Sequence, residues 1–131
     1  MIELVLVPFL EAAVRTATPL AFAALGELVA ERSGVINLGL EGTIIAGCLG
    51  AALAANAGGV GLGFLGAAGA GAAIALVFAF FVLVIRADQI ITGTALTVLG
   101  LGLTGTIYRS SPELMLSGTA LPTTGPIAIP L

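Results

Sequence analysis

The feature that most limits the fold of this chain is a run at positions 43–85 that contains no charged side chain. About 20 apolar residues cross a bilayer as a helix, so the run is long enough for two crossings. The whole chain is 59% hydrophobic and 8% charged, whereas soluble domains contain about 25% charged residues. So few polar side chains cannot cover the surface of a soluble globule of 131 residues. The composition therefore predicts an integral membrane protein.

Four hydrophobic segments predict an all-α membrane protein with about four transmembrane helices. They cover residues 2–29, 41–55, 60–85 and 89–108. Glu11 and Arg15 interrupt the first segment, and they are four residues apart, so on a helix they share a face and partly neutralise each other. Pro19 in the same segment predicts either a kink or an interfacial helix up to Thr18 followed by a shorter inserted helix.

Several classes of function are excluded by what the sequence contains. A net charge of −3 and the lack of a basic patch argue against nucleic acid as a partner. With no histidine and the single cysteine Cys48, the chain offers neither a zinc site nor an internal disulfide. Two G-x-G-x-x-G matches, at 61–66 and 100–105, lie inside hydrophobic segments and lack the strand and acidic residue of a dinucleotide site. We therefore expect no catalytic residue, no metal and no cofactor bound by this chain.

Glycine and alanine dominate the second and third segments, as in the sequence GLGFLGAAGAGAAIA. In lipid, helices associate by packing, and small residues let their backbones approach closely. This composition favours tight packing against neighbouring helices over the lining of a pore.

The most informative stretch is ERSGVINLGLEG, residues 31–42, which is too polar for a membrane helix and too apolar for an ordinary loop. Gly34, Gly39 and Gly42 give its backbone the freedom to break a helix. Asn37 adds a side chain that donates and accepts, and Glu41 suits the positive end of the helix that follows. Non-helical backbone lies at membrane depth only where protein or a water-filled cavity satisfies it. The stretch is therefore either a broken or re-entrant helix near a solute path or a short cytoplasmic connection.

The arginines predict the orientation. Arg32 lies between the first and second segments and Arg86 between the third and fourth, so both fall on one side, whereas Arg109 faces the other. The excess of basic residues on the cytoplasmic side of membrane proteins places the charges of both connections in the cytoplasm. These charges are Glu31, Arg32, Arg86 and Asp88. The N-terminus and a loop-like tail at 109–131 are then extracytoplasmic.

The sequence ATPLAFAALGELVAERSGVINLGLEGTIIAGCLGA resembles a signature of the ATP-binding-cassette importer permeases of the simple-sugar and nucleoside branch, which is related to the branched-chain amino acid and ribose permeases. Members read close to A-T-P-L-x-x-A-A-L-G-x-x-x-x-E-R-x-G-V-x-N-I-G-L-E-G. A second stretch, IRADQIITGTALTVLGLGLTGTIYR, is similar to the threonine- and glycine-rich helix of the family and its preceding basic residue. Leu38 stands where isoleucine is common in the family.

The resemblance implies a non-enzymatic permease subunit of the plasma (inner) membrane. Its implied partners are a second permease subunit, a cytoplasmic ATP-binding subunit that uses ATP, and an extracytoplasmic substrate-binding lipoprotein. Nucleosides are the first expected substrate and simple sugars the second, because the E-R-x-G-V-x-N form resembles the nucleoside subgroup more than the pentose transporters. Family members are considerably longer than this chain, so residues 1–131 are expected to form the N-terminal part of a single permease domain.

Four polar residues are expected to lie near the solute path: Asn37, Glu41, Thr94 and Thr97. Thr94 and Thr97 can share a helix face, although threonines in membrane helices more often bond to their own backbone carbonyls. A competing hypothesis is a small proton-coupled exporter with four helices, in which Glu11 is the coupling carboxylate. A third is an assembly or regulatory membrane protein without transport activity. Replacing Glu11 by glutamine separates the first two, because only the exporter would lose its activity.

Overall fold

The computed structural model describes residues 2–112 and Pro122, and the side chains from Val5 onward. The described part is helical and contains no strand, as the sequence predicts. Four of its helices are long and apolar enough to cross a membrane. They are α1 (Ile2–Arg32), α2 (Leu40–Gly58), α3 (Val60–Ala79, continued by a π-helical turn at Phe80–Val84) and α4 (Gln89–Ser110).

The helix α1 is continuous through both of its prolines, Pro8 and Pro19. The expected alternative of two helices separated at Pro19 is therefore wrong. Pro19 has no N–H to donate to the carbonyl four residues before it. In the turn before Pro19, the hydroxyl of Thr16 donates to the Ala12 carbonyl at 2.9 Å, so this hydroxyl is satisfied within the helix.

The chain divides into two compact units, Met1–Asn37 and Leu38–Leu131. The first contains α1 and the residues just after it, and the second contains α2, α3 and α4. The expectation of one permease domain remains a prediction, and each unit is described by itself below.

In the second unit, α2 packs against both α3 and α4. Its contact with α3 is made by glycines whose backbones meet. A Cβ on Gly50 of α2 would lie 2.5 Å from the carbonyl oxygen of Gly66 in α3, and one on Gly63 would lie 3.0 Å from the Cβ of Ala55. Only residues without side chains allow so close an approach. The prediction of tight packing in these segments is confirmed.

The turn between α2 and α3 is a single residue. The sequence leaves residues 56–59 between the second and third hydrophobic segments, but α2 continues through Asn56 to Gly58, and Gly59 alone separates it from α3. Gly59 has a φ of +86°, a conformation that residues with a Cβ rarely adopt.

The end of α3 widens into the π-helical turn. The N–H of Ile85 donates to the carbonyl of Phe80 at 3.2 Å, and the N–H of Ala87 donates to that of Phe81 at 3.0 Å. Arg86 reverses the chain with a φ of +60°, which costs a residue other than glycine about 1–2 kcal/mol.

The fourth helix begins at a side-chain cap. The carboxylate of Asp88 accepts from the backbone N–H groups of Ile90 and Ile91 at 2.9 and 3.0 Å. At the other end, Arg109 belongs to α4, so the expected tail begins after Ser110. The rest of that tail, apart from Ser111, Pro112 and Pro122, lies outside the described residues.

Candidate functional site

The stretch between α1 and α2 is non-helical from residue 33 to residue 39. Its first part closes α1. The N–H of Gly34 donates to the Glu31 carbonyl at 2.9 Å, and that of Val35 donates to the Ala30 carbonyl at 3.1 Å. Together with a φ of +84° at Gly34, these bonds form the glycine-terminated helix end known as a Schellman motif.

Two residues further, a carboxylate from α1 holds the backbone. The side chain of Glu27 accepts a hydrogen bond from the N–H of Asn37, with 2.7 Å between the nitrogen and Oε1. Both residues are half-buried. Sequence reasoning missed Glu27. The signal that points to it is an ionisable residue inside a long hydrophobic segment, where a charge requires a partner.

The start of α2 is fixed against α4. The hydroxyl of Thr97 donates to the carbonyl of Leu38 at 3.3 Å. Next to it, a Cβ on Gly93 would lie 2.8 Å from the nitrogen of Gly39, so the two backbones touch. The expected threonine-rich helix therefore does contact the end of the broken stretch.

Gly42 does not belong to the break. The sequence interpretation grouped it with the helix-breaking glycines, but the structure places it inside α2, where it is buried. A Cβ on Gly42 would lie 2.7 Å from the Cα of Thr97 and 2.8 Å from the carbonyl oxygen of Leu96. Its missing side chain lets α2 and α4 cross at backbone distance. Gly39 directly precedes α2 with a φ of −86°, outside the left-handed region.

The two threonines expected near the solute path make different bonds. Thr94 is exposed, and its hydroxyl bonds to the Ile90 and Ile91 carbonyls of its own helix, each at 3.0 Å. Thr97 is half-buried and reaches a residue 59 positions away in the chain. Of the two, only Thr97 links α4 to the stretch that precedes α2.

Replacing Thr97 by valine is expected to weaken the association of α4 with the start of α2 by about 0.6 kcal/mol, the typical value for a side-chain hydrogen bond between membrane helices. The matched control is Thr94→Val, which loses only a bond within α4 and is expected to change stability by less. The measurement is the unfolding of purified protein in mixed micelles of rising denaturing detergent. Equal losses in the two variants would contradict the link through Thr97.

The start of α2 is set back from the charged end of the second unit. Gly93, which touches Gly39, lies five residues after the cap residue Asp88, which corresponds to about 7–8 Å along α4. On the other side, Thr43 in the first turn of α2 faces Gly71, and α3 with its π-helical turn continues to Val84. Both neighbouring helices therefore extend past the first turn of α2.

Glu41 lies in this recessed first turn, and its side chain is exposed. As the sequence predicts, the carboxylate is at the N-terminal end of α2, where the helix dipole favours a negative charge. Among the described residues, no three histidine, cysteine, aspartate or glutamate side chains form a group that could hold a metal ion.

The other charged residues are spread over helix ends. Glu31 and Arg32 are in the last turn of α1, both exposed, and neither forms an ion pair within the described part of the chain. Arg86 and Asp88 are in the connection between α3 and α4. Glu11 and Arg15 line the same groove on α1, as their spacing predicts, without an ion pair between them.

Comparison with known proteins agrees with the resemblance seen in the sequence. A family model described as "Branched-chain amino acid transport system / permease component" matches residues 9–115. A glucose ABC transporter permease protein by name, TsgC13 of Haloferax volcanii, is 46% identical over 96 residues. The guanosine ABC transporter permease protein NupQ of Bacillus subtilis is 38% identical over 95 residues. No solved structure matches.

The matches cover much of this chain but a smaller share of its relatives. The aligned residues make up 72% of this chain and 29% of the Haloferax volcanii protein. For the Bacillus subtilis protein the shares are 67% and 30%. The chain therefore spans about a third of the length of these relatives.

Proposed function

Because the chain belongs to the branched-chain amino acid transport system permease family, we propose that it forms part of the solute path of an ATP-binding-cassette importer. Family membership and four apolar helices make it a multi-pass protein of the plasma membrane. The small proton-coupled exporter with Glu11 as its coupling carboxylate is not supported by these relatives.

The proposed partners are those of an importer of this kind. A second permease subunit completes the path, a cytoplasmic subunit hydrolyses ATP, and an extracytoplasmic lipoprotein delivers the solute. The chain itself binds no cofactor in this proposal. The connections that contain Arg32 and Arg86 are on the cytoplasmic side, in keeping with the excess of basic residues there, and the N-terminus and tail are extracytoplasmic.

The observation that carries this proposal is the recessed start of α2. A carboxylate at membrane depth is costly unless it faces water or protein. Glu41 is exposed in the first turn of α2, and both neighbouring helices extend past that turn. Helix starts of this kind border the solute path in many transporters, because they offer free backbone N–H groups.

The proposed solute is a nucleoside or a simple sugar. Both are neutral and rich in hydroxyl groups, which suits side chains that donate and accept hydrogen bonds. Asn37 is such a side chain and directly precedes the residues that pack on α4. The names of the two relatives, glucose and guanosine permeases, fit this class of solute.

Uptake by the assembled importer in proteoliposomes tests the proposal. We expect ATP-dependent accumulation of radiolabelled guanosine above that of glucose, and a large loss of rate for Glu41→Gln. Glu11→Gln serves as the control and is expected to keep the rate. Loss of uptake in the Glu11 variant with retention in the Glu41 variant would contradict the proposed path.

Cysteine labelling tests whether the broken stretch faces that path. Single cysteines at Ser33, Asn37 and Thr43, in a Cys48→Ala background, are treated with a water-soluble thiol reagent in intact and opened vesicles. We expect fast labelling at position 33, slow labelling at position 43, which faces α3, and slow labelling at position 37 that changes when ATP and solute are added. Uniformly fast labelling from the cytoplasmic side would instead identify a cytoplasmic connection.

A further inference from the structure

Glu27 is an acidic residue of α1 that is not among the residues proposed to border the solute. It is half-buried, and one carboxylate oxygen lies 2.7 Å from the backbone nitrogen of Asn37. This separation is at the short end of the range for N–H···O hydrogen bonds. The bond also closes a loop of ten residues around the end of α1.

The position of this bond gives it a defined effect on the chain. The helix end at Gly34 uses the N–H groups of residues 34 and 35, both of which bond to carbonyls of α1. The bond from Asn37 adds a third attachment to α1, two residues beyond the end of that motif. The backbone is therefore held to α1 up to the last residue of the first unit.

Glu31 provides the comparison on the same helix. It is one turn after Glu27 and has the same side chain, but it is exposed, and only its backbone carbonyl takes part in the helix end. If acidic side chains in α1 held the following segment in general, replacing either residue would loosen it. The contact with Asn37 is made by Glu27, so we expect an effect at Glu27 and none at Glu31.

We propose that Glu27 is a positioning residue, whose carboxylate fixes the backbone of Asn37 and thereby the direction in which the Asn37 side chain faces the solute. The transport part of this inference rests on the proposed function. The structural part, that the carboxylate holds the segment after α1, does not.

Amide hydrogen exchange of the full chain in nanodiscs tests the structural part. Glu27→Leu removes the acceptor at similar size, and Glu27→Gln keeps an acceptor oxygen without the charge. We expect exchange of the peptide covering residues 34–39 to be about tenfold faster in the leucine variant, since the backbone N–H of Asn37 loses its acceptor. The glutamine variant is expected to lie close to wild type.

Glu31→Leu is the matched control and is expected to exchange at the wild-type rate in this peptide. Equal exchange in Glu27→Leu and Glu31→Leu would overturn the inference. Equal acceleration in Glu27→Gln and Glu27→Leu would also overturn it, because an acceptor at position 27 would then not matter. If the leucine variant does not fold, Glu27→Ala replaces it in the same comparison.

Uptake kinetics in proteoliposomes of the assembled importer test the transport part. We expect Glu27→Leu to raise the KM for guanosine about tenfold while Glu27→Gln and Glu31→Leu stay near wild type, a rescue that a loss of fold would not show. An unchanged KM in Glu27→Leu would overturn the positioning role in transport. Absence of uptake in the wild-type importer would instead overturn the proposed function, and amide exchange would still decide whether Glu27 holds the segment.

Discussion

Replacing Gly93 by valine is expected to abolish uptake by the importer. A Cβ at this position would lie 2.8 Å from the nitrogen of Gly39 and 3.0 Å from the carbonyl carbon of Leu38. Backbone atoms cannot rotate away as a flexible side chain can, so α4 must move off the start of α2. Overpacking of this kind costs about 1–3 kcal/mol, and here it also displaces the residues proposed to border the solute.

The matched control is Gly102→Val on the same helix. Among the described residues, no atom outside the adjoining part of α4 lies within 4 Å of a Cβ at this position, and the change in helix propensity is the same. The measurements are ATP-dependent uptake of labelled guanosine and the amount of folded permease recovered from membranes. Wild-type uptake by the Gly93 variant, or an equal loss in both variants, would rule out the close contact of α4 with the start of α2.

Replacing Gly66 by valine is expected to separate α2 from α3 and to lower the stability of the helical unit by about 3 kcal/mol, at the upper end for an overpacked site. The Cβ of the valine would overlap the carbonyl oxygen of Gly50 and lie 2.5 Å from the Cβ of Ala54. The contact is reciprocal, because a Cβ on Gly50 would lie 2.5 Å from the carbonyl oxygen of Gly66. No rotamer of valine removes a clash made by its Cβ.

Gly69→Val on α3 is the control, since no atom of the described residues outside the adjoining part of α3 lies within 4 Å of a Cβ at that position. Resistance to unfolding by denaturing detergent, followed by the mobility of the purified protein in size-exclusion chromatography, measures the difference. If both variants unfold at the same detergent fraction, the contact between the Gly50 and Gly66 backbones is not what holds α2 to α3.

The sequence predicts the helices well because their limits are set by local chemistry. Hydrophobic runs mark where the spans are, and Gly34, Gly59 and Asp88 mark where the spans end or begin. The same reasoning fails at Pro19, because a long apolar helix in a membrane keeps its backbone bonds on either side of a proline.

The candidate site is predicted only in part, because glycines and polar residues acquire their roles from distant partners. Gly34 and Gly42 look alike in the sequence, but one allows a left-handed turn and the other allows a helix to approach. Thr94 and Thr97 are in the same hydrophobic segment. Only the fold shows that Thr94 bonds within α4, whereas Thr97 bonds to Leu38 before α2. The bond between Glu27 and Asn37 joins a residue of α1 to a residue beyond the end of that helix, so no periodic pattern in the sequence points to it.

The single-residue turn at Gly59 has a consequence for biogenesis. Two apolar helices joined by one glycine cannot leave the translocon as independent spans, so α2 and α3 are expected to enter the bilayer together as a helical hairpin. The tip of this hairpin, residues 56–59, has no charged side chain that must cross the membrane, and charged residues are the most costly to insert. The glycine contact between Gly50 and Gly66 can form as the hairpin enters, before α4 has entered the bilayer.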